Sequence, residues 1–296
     1  MTVSHDTQSA TNSQATMAQH DSGVVLNRLI ANMSCPYCRS DLQTNADTLV
    51  CVTGDHKFAV HDGIPKLAVY GSSETWTPEA PADTSVEYQN EYQELADASR
   101  YNEAYRDKIL KRWSTKREFE LLDRLLSSQP HCETLLNIPC GGGRLSEKIA
   151  VATDTLIEAD AAFGQLLYAR KQSKPSSPRL WMTASAFHIP FKDNSVDAAV
   201  SIRLCHHMPT AVERERLVGE LLRVSRRFVI MTFFDYHSPK NYLRRMRAPF
   251  NRKPPKMTMT RSRVAELAEQ HGARLVEAPA LAIQSSGHRY ALMVKT

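Results

Sequence analysis

The chain has 296 residues, 42% of them hydrophobic, and a formal net charge of +5 at pH 7. This length suits one large α/β domain and a small module, and the apolar content supports a packed core. Six cysteines are too few for a disulfide scaffold of this size, and no run approaches the roughly 20 apolar residues that span a membrane.

The N-terminal residues 1–30 are predicted to form a disordered tail. Residues 1–22 are rich in Ser, Thr, Gln and Asn and contain no aromatic residue, so they cannot bury enough apolar surface to offset the entropy of ordering. They also lack the basic and apolar regions of a secretory signal. We therefore expect a cytoplasmic location.

A compact metal-binding module is predicted over residues 31–70. The ligands predicted for a structural Zn²⁺ are Cys35, Cys38, Cys51 and His56. Three thiolates and an imidazole can close a tetrahedral zinc site, and so small a unit needs such a cross-link. The alternative is a pair of unligated cysteines in a turn. His61 competes with His56 for the fourth position.

Residues 71–85 carry Pro, Ser and Thr without periodicity and are predicted to be a linker. The larger domain, residues 86–296, begins with a helical pattern from Val86 to Leu126. Its tyrosines at helical spacing are Tyr88, Tyr92, Tyr101 and Tyr105. Each pair four residues apart shares a helix face, and packing on the sheet is the simplest interpretation for each tyrosine.

The stretch Thr134–Ile138 is predicted to be a buried strand, and it ends in the glycine-rich turn 140–143. A helix over Arg144–Val151 follows. Strand, glycine turn and helix is the arrangement that brings bare backbone close to a ligand. Asp160, at the end of the next apolar run, can accept two hydrogen bonds from a ribose diol. The dinucleotide fingerprint is absent, because Pro139 occupies one of its glycine positions.

Strands and helices then alternate, which predicts a mostly parallel, doubly wound sheet. The predicted strands are Thr134–Ile138, Thr155–Ala159, Arg179–Thr183, Asp197–Ile202, Phe228–Phe234, Arg274–Ala278 and His288–Val294. The clearest helices are Ala211–Arg223 and Arg261–Gln270. In such sheets the ligand binds beyond the carboxyl ends of the strands.

Four segments together resemble the ordered motifs of class I S-adenosylmethionine (SAM) methyltransferases of the type 11-like group. In chain order these are Leu135–Gly143, Leu156–Arg170, Ala184–Phe191 and Asp193–Met208. The resemblance implies a Rossmann-like, seven-stranded α/β fold and SAM as cofactor. Three positions depart from the pattern. Asn137 stands where an acid is usual, Pro139 replaces a glycine, and Ser185 replaces an aspartate.

The same resemblance implies a SAM site formed by residues at successive strand ends. These are Cys140, Gly141, Gly142, Gly143, Asp160, Ala161, Ser185, Ala186, Phe187 and Ile202. The glycines admit the methionine half of the cofactor, whose carboxylate can meet amides at the start of the next helix. Asp160 binds the ribose hydroxyls, and Ala186 with Phe187 meets the adenine.

Candidate catalytic residues follow two strands of this predicted sheet. His206 and His207 come after the fourth strand, and an imidazole that titrates near neutrality suits proton removal. Packing and helix capping are the alternative roles for either histidine. Asp235, after the fifth strand, is the other candidate base. An acceptor that needs no base would make all three residues chemically irrelevant.

The segment Lys240–Arg263 is predicted to be a basic loop, because it holds nine Lys or Arg, no acid and three prolines. Tyr242 and Phe250 lie within it. Basic residues neutralise phosphates and aromatic rings stack on bases, so this loop favours an RNA acceptor. The metal module resembles the zinc ribbon of bacterial rRNA guanine methyltransferases, which favours RNA as well. The alternatives are a phosphorylated envelope or small-molecule acceptor, and a non-catalytic SAM- or RNA-binding protein.

Overall fold

The computed structural model describes residues 22–54, 56–69, 95–96, 98–99, 109–173, 177–247, 257–282 and 286–296. Three of the predictions lie outside these residues. They concern the tail up to residue 21, the linker 71–85, and the four tyrosines at helical spacing.

The N-terminal module is a small antiparallel sheet preceded by a helix. Residues 22–29 form helix α1, and a 3₁₀ turn follows at Ile30–Asn32. The strands, in chain order and in sheet order, are β1 (Leu42–Asn45), β2 (Thr48–Cys51), β3 (Lys57–His61) and β4 (Ile64–Pro65). The predicted disordered tail therefore extends too far along the chain. Val25, Leu26 and Leu29 of α1 are buried in the core, and this apolar spacing offsets the cost of ordering the helix.

The larger domain contains the seven-stranded sheet that the sequence predicts. Its strands are β5 (Cys132–Asn137), β6 (Thr153–Asp160), β7 (Arg179–Thr183), β8 (Val196–Ser201), β9 (Ser225–Phe234), β10 (Ala273–Glu277) and β11 (His288–Lys295). Its helices are α2 (Ile109–Ser127), α3 (Ser146–Ala150), α4 (Phe163–Gln172), α5 (Ala211–Val224), α6 (Pro239–Arg247) and α7 (Arg261–Gln270).

The sheet has the order β10-β11-β9-β8-β5-β6-β7. Strands β5 to β9 pair in parallel, whereas β11 pairs antiparallel with both β9 and β10. The sheet is thus mixed, and its Rossmann-like class is confirmed. The chain order reverses beside β5, whose neighbours are β6 and β8, so a crevice opens at the carboxyl end of β5.

The N-terminal module packs directly on the larger domain. Met33, Leu49 and Leu67 belong to the same buried cluster as the sheet residues Leu180 and Met182. Backbone contacts also join the two parts, because the amide of Leu67 donates to the carbonyl of Thr183 on β7 at 3.1 Å. A shared core and a shared hydrogen-bond ladder fix the position of the module.

Polar side chains strengthen this attachment. Arg39 donates to both carboxylate oxygens of Glu220 on α5, each at 2.9 Å, and to the carbonyl of Ile189 at 2.9 Å. Arg223 binds the same carboxylate. Burial alone would raise the pKa of Glu220, but the two guanidinium groups outweigh burial and the pKa is lowered.

The basic loop predicted at Lys240–Arg263 is wrong for its first part, because Pro239–Arg247 forms helix α6. Proline fits the first helical position, where no amide hydrogen is needed. Ser238 precedes it, and its Oγ accepts from the amide of Asn241 at 3.3 Å. The many basic residues and the three prolines further along the segment made the start of this helix difficult to recognise in the sequence. Residues 248–256 lie outside the described part of the chain.

Within the described residues, the structure contains no helix that is long and apolar enough to cross a bilayer.

Candidate functional site

The glycine-rich turn lies where β5 meets the crevice. Gly141 has φ 53° and Gly143 has φ 75°, a left-handed conformation that side chains disfavour. A Cβ at Gly143 would lie 3.1 Å from the Cβ of Ala169, so helix α4 approaches closely there. A Cβ at Gly141 would meet nothing within 4 Å. The backbone at Gly141 is therefore open to a ligand.

Asp160 lies at the end of β6, directly beside this turn. Its Oδ2 accepts from the amide of Gly141 at 2.8 Å, and its Oδ1 accepts from the amide of Ala162 at 2.9 Å. Burial raises the pKa of Asp160 from its ordinary 3.8 to about 6, although these amides favour the ionised form. The amide of Ala161 also favours the ionised form. A carboxylate has about four acceptor positions, so it can still accept from a ligand hydroxyl.

Asn137, the first departure from the family pattern, is explained by its partner on the neighbouring strand. Its Nδ2 donates to Glu158 Oε2 at 2.7 Å, and both residues are buried. Burial raises the pKa of Glu158. A carboxylate at position 137 would be buried against the carboxylate of Glu158, where the two would repel each other. The Asn137 amide instead donates a hydrogen bond to Glu158. Glu158 is thus a site-adjacent acid that sequence reasoning missed.

The predicted adenine-side residues follow β7. Ser185 is buried, and its Oγ accepts from the amide of Phe187 at 3.3 Å. Phe187 is largely buried and Ala186 is half-buried. Ser185 therefore shapes the turn that presents these two residues.

Two further residues of the predicted SAM site, Cys140 and Ile202, belong to the buried core. Burial raises the pKa of Cys140 well above its usual range. Cys205 behaves in the same way, and burial raises its pKa to about 12. Neither thiol is activated as a nucleophile, in agreement with packing roles.

A buried ion cluster lies on the other side of the glycine turn. Glu118 of α2 is fully buried, and it binds Arg144 Nη1 at 2.5 Å and Arg203 Nε at 3.0 Å. The hydroxyl of Tyr290 on β11 also donates to it. Burial would raise the pKa of Glu118, but the two arginines outweigh burial and lower it. The contact with Tyr290 joins positions 172 residues apart, so no local pattern could reveal it.

The candidate catalytic histidines lie beyond β8, where they join a third histidine. The ring of His206 lies 4.2 Å from that of His207, 4.4 Å from that of Phe234 and 5.0 Å from that of His288, measured between ring centres. His207 is exposed. Sequence reasoning missed His288, because a single histidine at the start of a strand carries no local signal.

His288 is 8% exposed, and its Nδ1 has no hydrogen-bond partner among the described residues. Burial lowers the pKa of His288 to about 3, and nearby Arg203 acts in the same direction. The imidazole is therefore neutral at physiological pH. A neutral, unpartnered ring nitrogen can accept a hydrogen bond from a ligand.

Asp235 lies next to these rings but is already engaged. Its Oδ2 binds Arg289 Nε at 2.5 Å, and its Oδ1 accepts from the amide of His237 at 3.0 Å. It borders a cavity of about 370 Å³. The cavity is lined by Asp235, His237, Ser238, Pro239, Ala280, Ser286, Gly287, His288 and Arg289. Asp235 is thus a wall residue paired with Arg289, and the catalytic role predicted for it stays a prediction.

The predicted zinc ligands come together in the N-terminal module. The ligand atoms of Cys35, Cys38, Cys51 and His56 all lie within 4.8 Å of one another. The Cys38 and Cys51 sulfurs are 3.3 Å apart, and the Cys35 sulfur lies 3.6 Å from His56 Nδ1. Around tetrahedral zinc with bonds of about 2.3 Å, neighbouring sulfurs lie about 3.8 Å apart. The four residues therefore fit a zinc ion.

The fourth position of this cluster is filled by His56. Its ring stacks on Tyr37 with 4.6 Å between ring centres, and a Cβ at Gly54 would come within 2.9 Å of its Nδ1. His61 lies apart, with its side chain 59% exposed beside Asp62. The structure thus brings His56, and not His61, to the three cysteines.

Comparison with known proteins places this site in a family context. A family profile described as "Methyltransferase domain" matches residues 136–231. A 2-phytyl-1,4-naphtoquinone methyltransferase from Nostoc sp. strain PCC 7120 is 27% identical over 115 residues, which are 37% of this chain and 49% of that protein. The chain therefore spans about half the length of this curated relative.

Two solved structures share the fold. One is magnesium protoporphyrin IX methyltransferase from Synechocystis PCC 6803 with bound SAH, with a TM-score of 0.60 and 13% identity, covering 72% of this chain and 100% of that chain. The other is the N-methyltransferase NodS from Bradyrhizobium japonicum WM9 in complex with SAH, with a TM-score of 0.54 and 16% identity, covering 70% and 98%. Residues 136–231 therefore form a methyltransferase domain, and the sheet that contains them has the class I SAM-dependent methyltransferase fold.

Proposed function

We propose that this protein is a SAM-dependent methyltransferase that acts on a small, apolar acceptor. The observation that carries the proposal is the contact between Asp160 and the amide of Gly141. It places a carboxylate and an open, left-handed glycine turn at one point of the crevice. A ribose diol and an amino-acid group require these two features at such a spacing.

The residues at the turn fit SAM in chemical type. Asp160 would accept from the ribose hydroxyls, and the backbone at Gly141 and Gly143 would pass the methionine half. Arg144 and Arg203, which flank Glu118 and are half-buried, would attract the methionine carboxylate. When bound, SAM supplies an electrophilic methyl group, so the protein contributes alignment and exclusion of water.

The acceptor would enter from the opposite side, through the cavity beside β9 and β11. His288 lines this cavity, and its neutral ring could accept a hydrogen bond from an acceptor hydroxyl or amine. His206 packs against it and holds its ring. We assign acceptor positioning to His288 and His206, because Asp235 is bound to Arg289.

A small acceptor is supported by two observations. The relative that is 27% identical is named for a quinone carrying a phytyl chain. The cavity of about 370 Å³ is of the size that small ligands occupy. RNA, which the sequence favours, rests on a basic segment of which residues 248–256 lie outside the described part of the chain.

For the N-terminal module we propose a structural role for Zn²⁺, held by the cluster of three cysteines and His56. All four protein positions of a tetrahedral site are filled, so no open position remains for catalysis. The module packs on β7, and metal binding there would stabilise the edge of the sheet.

Two measurements test the proposed function. Calorimetry is expected to show SAM binding to the full chain, and an absence of binding at millimolar SAM would overturn the proposal. Labelled SAM is then incubated with the protein and either total RNA or an organic-solvent extract of cells. We expect label in the extract. Label in RNA would overturn the small acceptor, and label in neither would favour a non-catalytic SAM-binding protein.

A further inference from the structure

Helix α6 is oriented opposite to an ordinary surface helix. Its one buried residue is polar, since Asn241 is 2% exposed and its Nδ2 donates to the carbonyl of Asp235 at 2.8 Å. Its apolar residues point outward, with Tyr242 at 55%, Leu243 at 50% and Met246 at 60% exposure. Surface helices normally bury the apolar side and expose the polar one.

The exposed apolar residues form one continuous face. Positions 242, 243 and 246 lie within one turn of each other, so their side chains project on the same side of the helix. We call these three residues the outer face of α6. Isolated exposed apolar residues are common on proteins, but a clustered apolar face marks an interaction site.

Polar contacts hold α6 in this orientation. Arg244 Nη1 donates to Asn241 Oδ1 at 3.0 Å, and the guanidinium lies 5.5 Å from the ring centre of Phe234. Arg245 Nη1 donates to the carbonyl of Tyr236 at 2.7 Å and lies 3.8 Å above the Tyr236 ring. Arg245 also lies 5.9 Å from the ring centre of Tyr242. These two arginines are thus anchored to the protein, and Leu243 and Met246 of the outer face stay exposed.

The charge on helix α6 has a single sign. The helix carries Lys240, Arg244, Arg245 and Arg247 and contains no acid. Arg247, at the end of the helix, is exposed. An apolar face flanked by cations complements a surface that is apolar inside and anionic at its boundary.

The position of α6 connects it to the acceptor cavity. Ser238 and Pro239, which begin the helix, line that cavity. A Cβ at Gly287, on the opposite wall, would come within 2.5 Å of Asn241 Nδ2. The start of α6 is therefore part of the wall of the cavity, and Asn241 packs against Gly287, which lines the same cavity.

We propose that α6 docks the protein on an anionic lipid bilayer surface, with its outer face in the boundary between headgroups and acyl chains. Leu243 and Met246 fit lipid better than RNA, because aliphatic side chains gain little from stacking on bases. A second copy of the chain fits poorly, since like charges would meet. Three side chains are also far fewer than the roughly 20–30 residues per side of a stable interface. The proposal is independent of methyl transfer.

The test is flotation of the full chain with vesicles. Wild type is expected to float with mixed phosphatidylcholine–phosphatidylglycerol vesicles more than with phosphatidylcholine vesicles, and less at high salt. The double variant L243S/M246S is expected to lose about tenfold in bound fraction, because two apolar groups leave the acyl boundary. The control V151S/V212S alters two exposed valines elsewhere and should float as wild type does.

Charge is tested separately with R247Q, which is expected to weaken binding to the anionic vesicles by about fivefold, since each cation contributes about 1 kcal/mol. K171Q, at an exposed lysine on α4, is the control. Thermal unfolding and SAM calorimetry on every variant show whether the fold and the proposed cofactor site are intact. Failure to bind SAM would defeat the proposed function and leave vesicle binding untouched.

Four outcomes would overturn the docking proposal. Wild type could fail to float with either vesicle, or L243S/M246S could float as well as V151S/V212S. Light scattering could show a dimer that L243S/M246S abolishes, which would assign the outer face to a second copy. A gel shift with total RNA that is lost in R247Q, together with no flotation, would assign the segment to nucleic acid.

Discussion

The two halves of the seven-stranded sheet treat their polar groups differently. At the tips of β5 and β6, both oxygens of Asp160 accept backbone amides, and Glu158 is bonded to Asn137. Beside β9 and β11, His288 lines a cavity of about 370 Å³, and its buried Nδ1 lacks a partner among the described residues. The Asp160 carboxylate of the proposed cofactor side is thus held by backbone amides before any ligand binds, whereas no such contact holds the Nδ1 of His288 on the proposed acceptor side.

The same contrast extends to what covers each half. The N-terminal module packs on β7 through a shared core, and Arg39 joins the module to Glu220 on helix α5. The start of helix α6 borders the proposed acceptor cavity, and the helix leaves its apolar side outward. We propose that substrate choice resides in the β9–β11 half.

Removing a predicted metal ligand should have the largest effect on stability, because the N-terminal module packs on β7. Cys51→Ser is expected to abolish zinc binding and to lower the melting temperature by about 10 °C, because structural zinc contributes several kcal/mol and each is worth about 2–4 °C. Metal analysis and thermal unfolding measure the two effects. Cys132→Ser, at a buried cysteine outside the cluster, should keep its zinc. Full zinc content in Cys51→Ser would refute the site.

Asp160→Ala tests whether the preorganised carboxylate binds the cofactor. We expect SAM affinity to fall about a hundredfold, since two hydrogen bonds to a charged group are lost. Calorimetry reports the affinity. Asp154→Ala removes an exposed acid from the same strand and should bind SAM normally. Unchanged SAM affinity in Asp160→Ala would refute the proposal that Asp160 binds the ribose.

The raised pKa of Asp160, about 6, predicts a pH dependence of binding. The ribose hydroxyls need the ionised carboxylate, so SAM affinity should fall as the pH drops through about 6. Asp160→Asn should show no such step. The free energy of unfolding changes with pH in the opposite direction to SAM affinity. Because burial favours the protonated form in the folded state, wild type should lose stability relative to Asp160→Asn as the pH rises from about 4 to about 6.

His288→Ala probes the acceptor half. Turnover is expected to fall about tenfold with SAM affinity unchanged, because only acceptor positioning is lost. His207→Ala, at an exposed neighbour, should retain turnover. The assay uses whichever extract fraction accepts label. If SAM affinity fell in His288→Ala while turnover per bound SAM did not, the division between the halves would be incorrect.

Arg39→Ala should give the smallest of these effects. The side chain is 38% exposed, so solvent screens its pair with Glu220 and we expect a loss of about 1–2 kcal/mol in the free energy of unfolding. Urea unfolding measures it. Arg117→Ala, which removes an exposed helical pair with Glu120, should cost less than about 0.5 kcal/mol. Equal losses would show that the module is held by its core alone.

The parts of the fold that the sequence predicts well are those with strong local patterns. Strand β7 and helix α7 have the predicted bounds, Arg179–Thr183 and Arg261–Gln270. The strand is a fully buried run. The helix is capped by Thr260, whose hydroxyl accepts a hydrogen bond from the amide of Arg263. The cysteine and histidine spacing likewise predicted a cluster that the structure brings together.

The features that were missed depend on long-range contacts. Glu118 meets Tyr290 only when the sheet is assembled, and His288 becomes buried only when Phe234 lies opposite it on β9. Helix α6 was missed for another reason. Its apolar residues face outward, so its pattern could be read correctly only with knowledge of which side the protein occupies.

The pairing of the module with β7 affects how readily the protein can aggregate. The backbones of Lys66 and Thr183 form a parallel β-bridge, and the amide of Ala68 donates to Thr183 Oγ1 at 3.2 Å. These contacts occupy hydrogen-bonding groups at the terminal strand of the sheet. Edge strands left bare recruit strands from other molecules. The module therefore shields this edge from other molecules, and a chain whose module had unfolded would present β7 as a template for self-association.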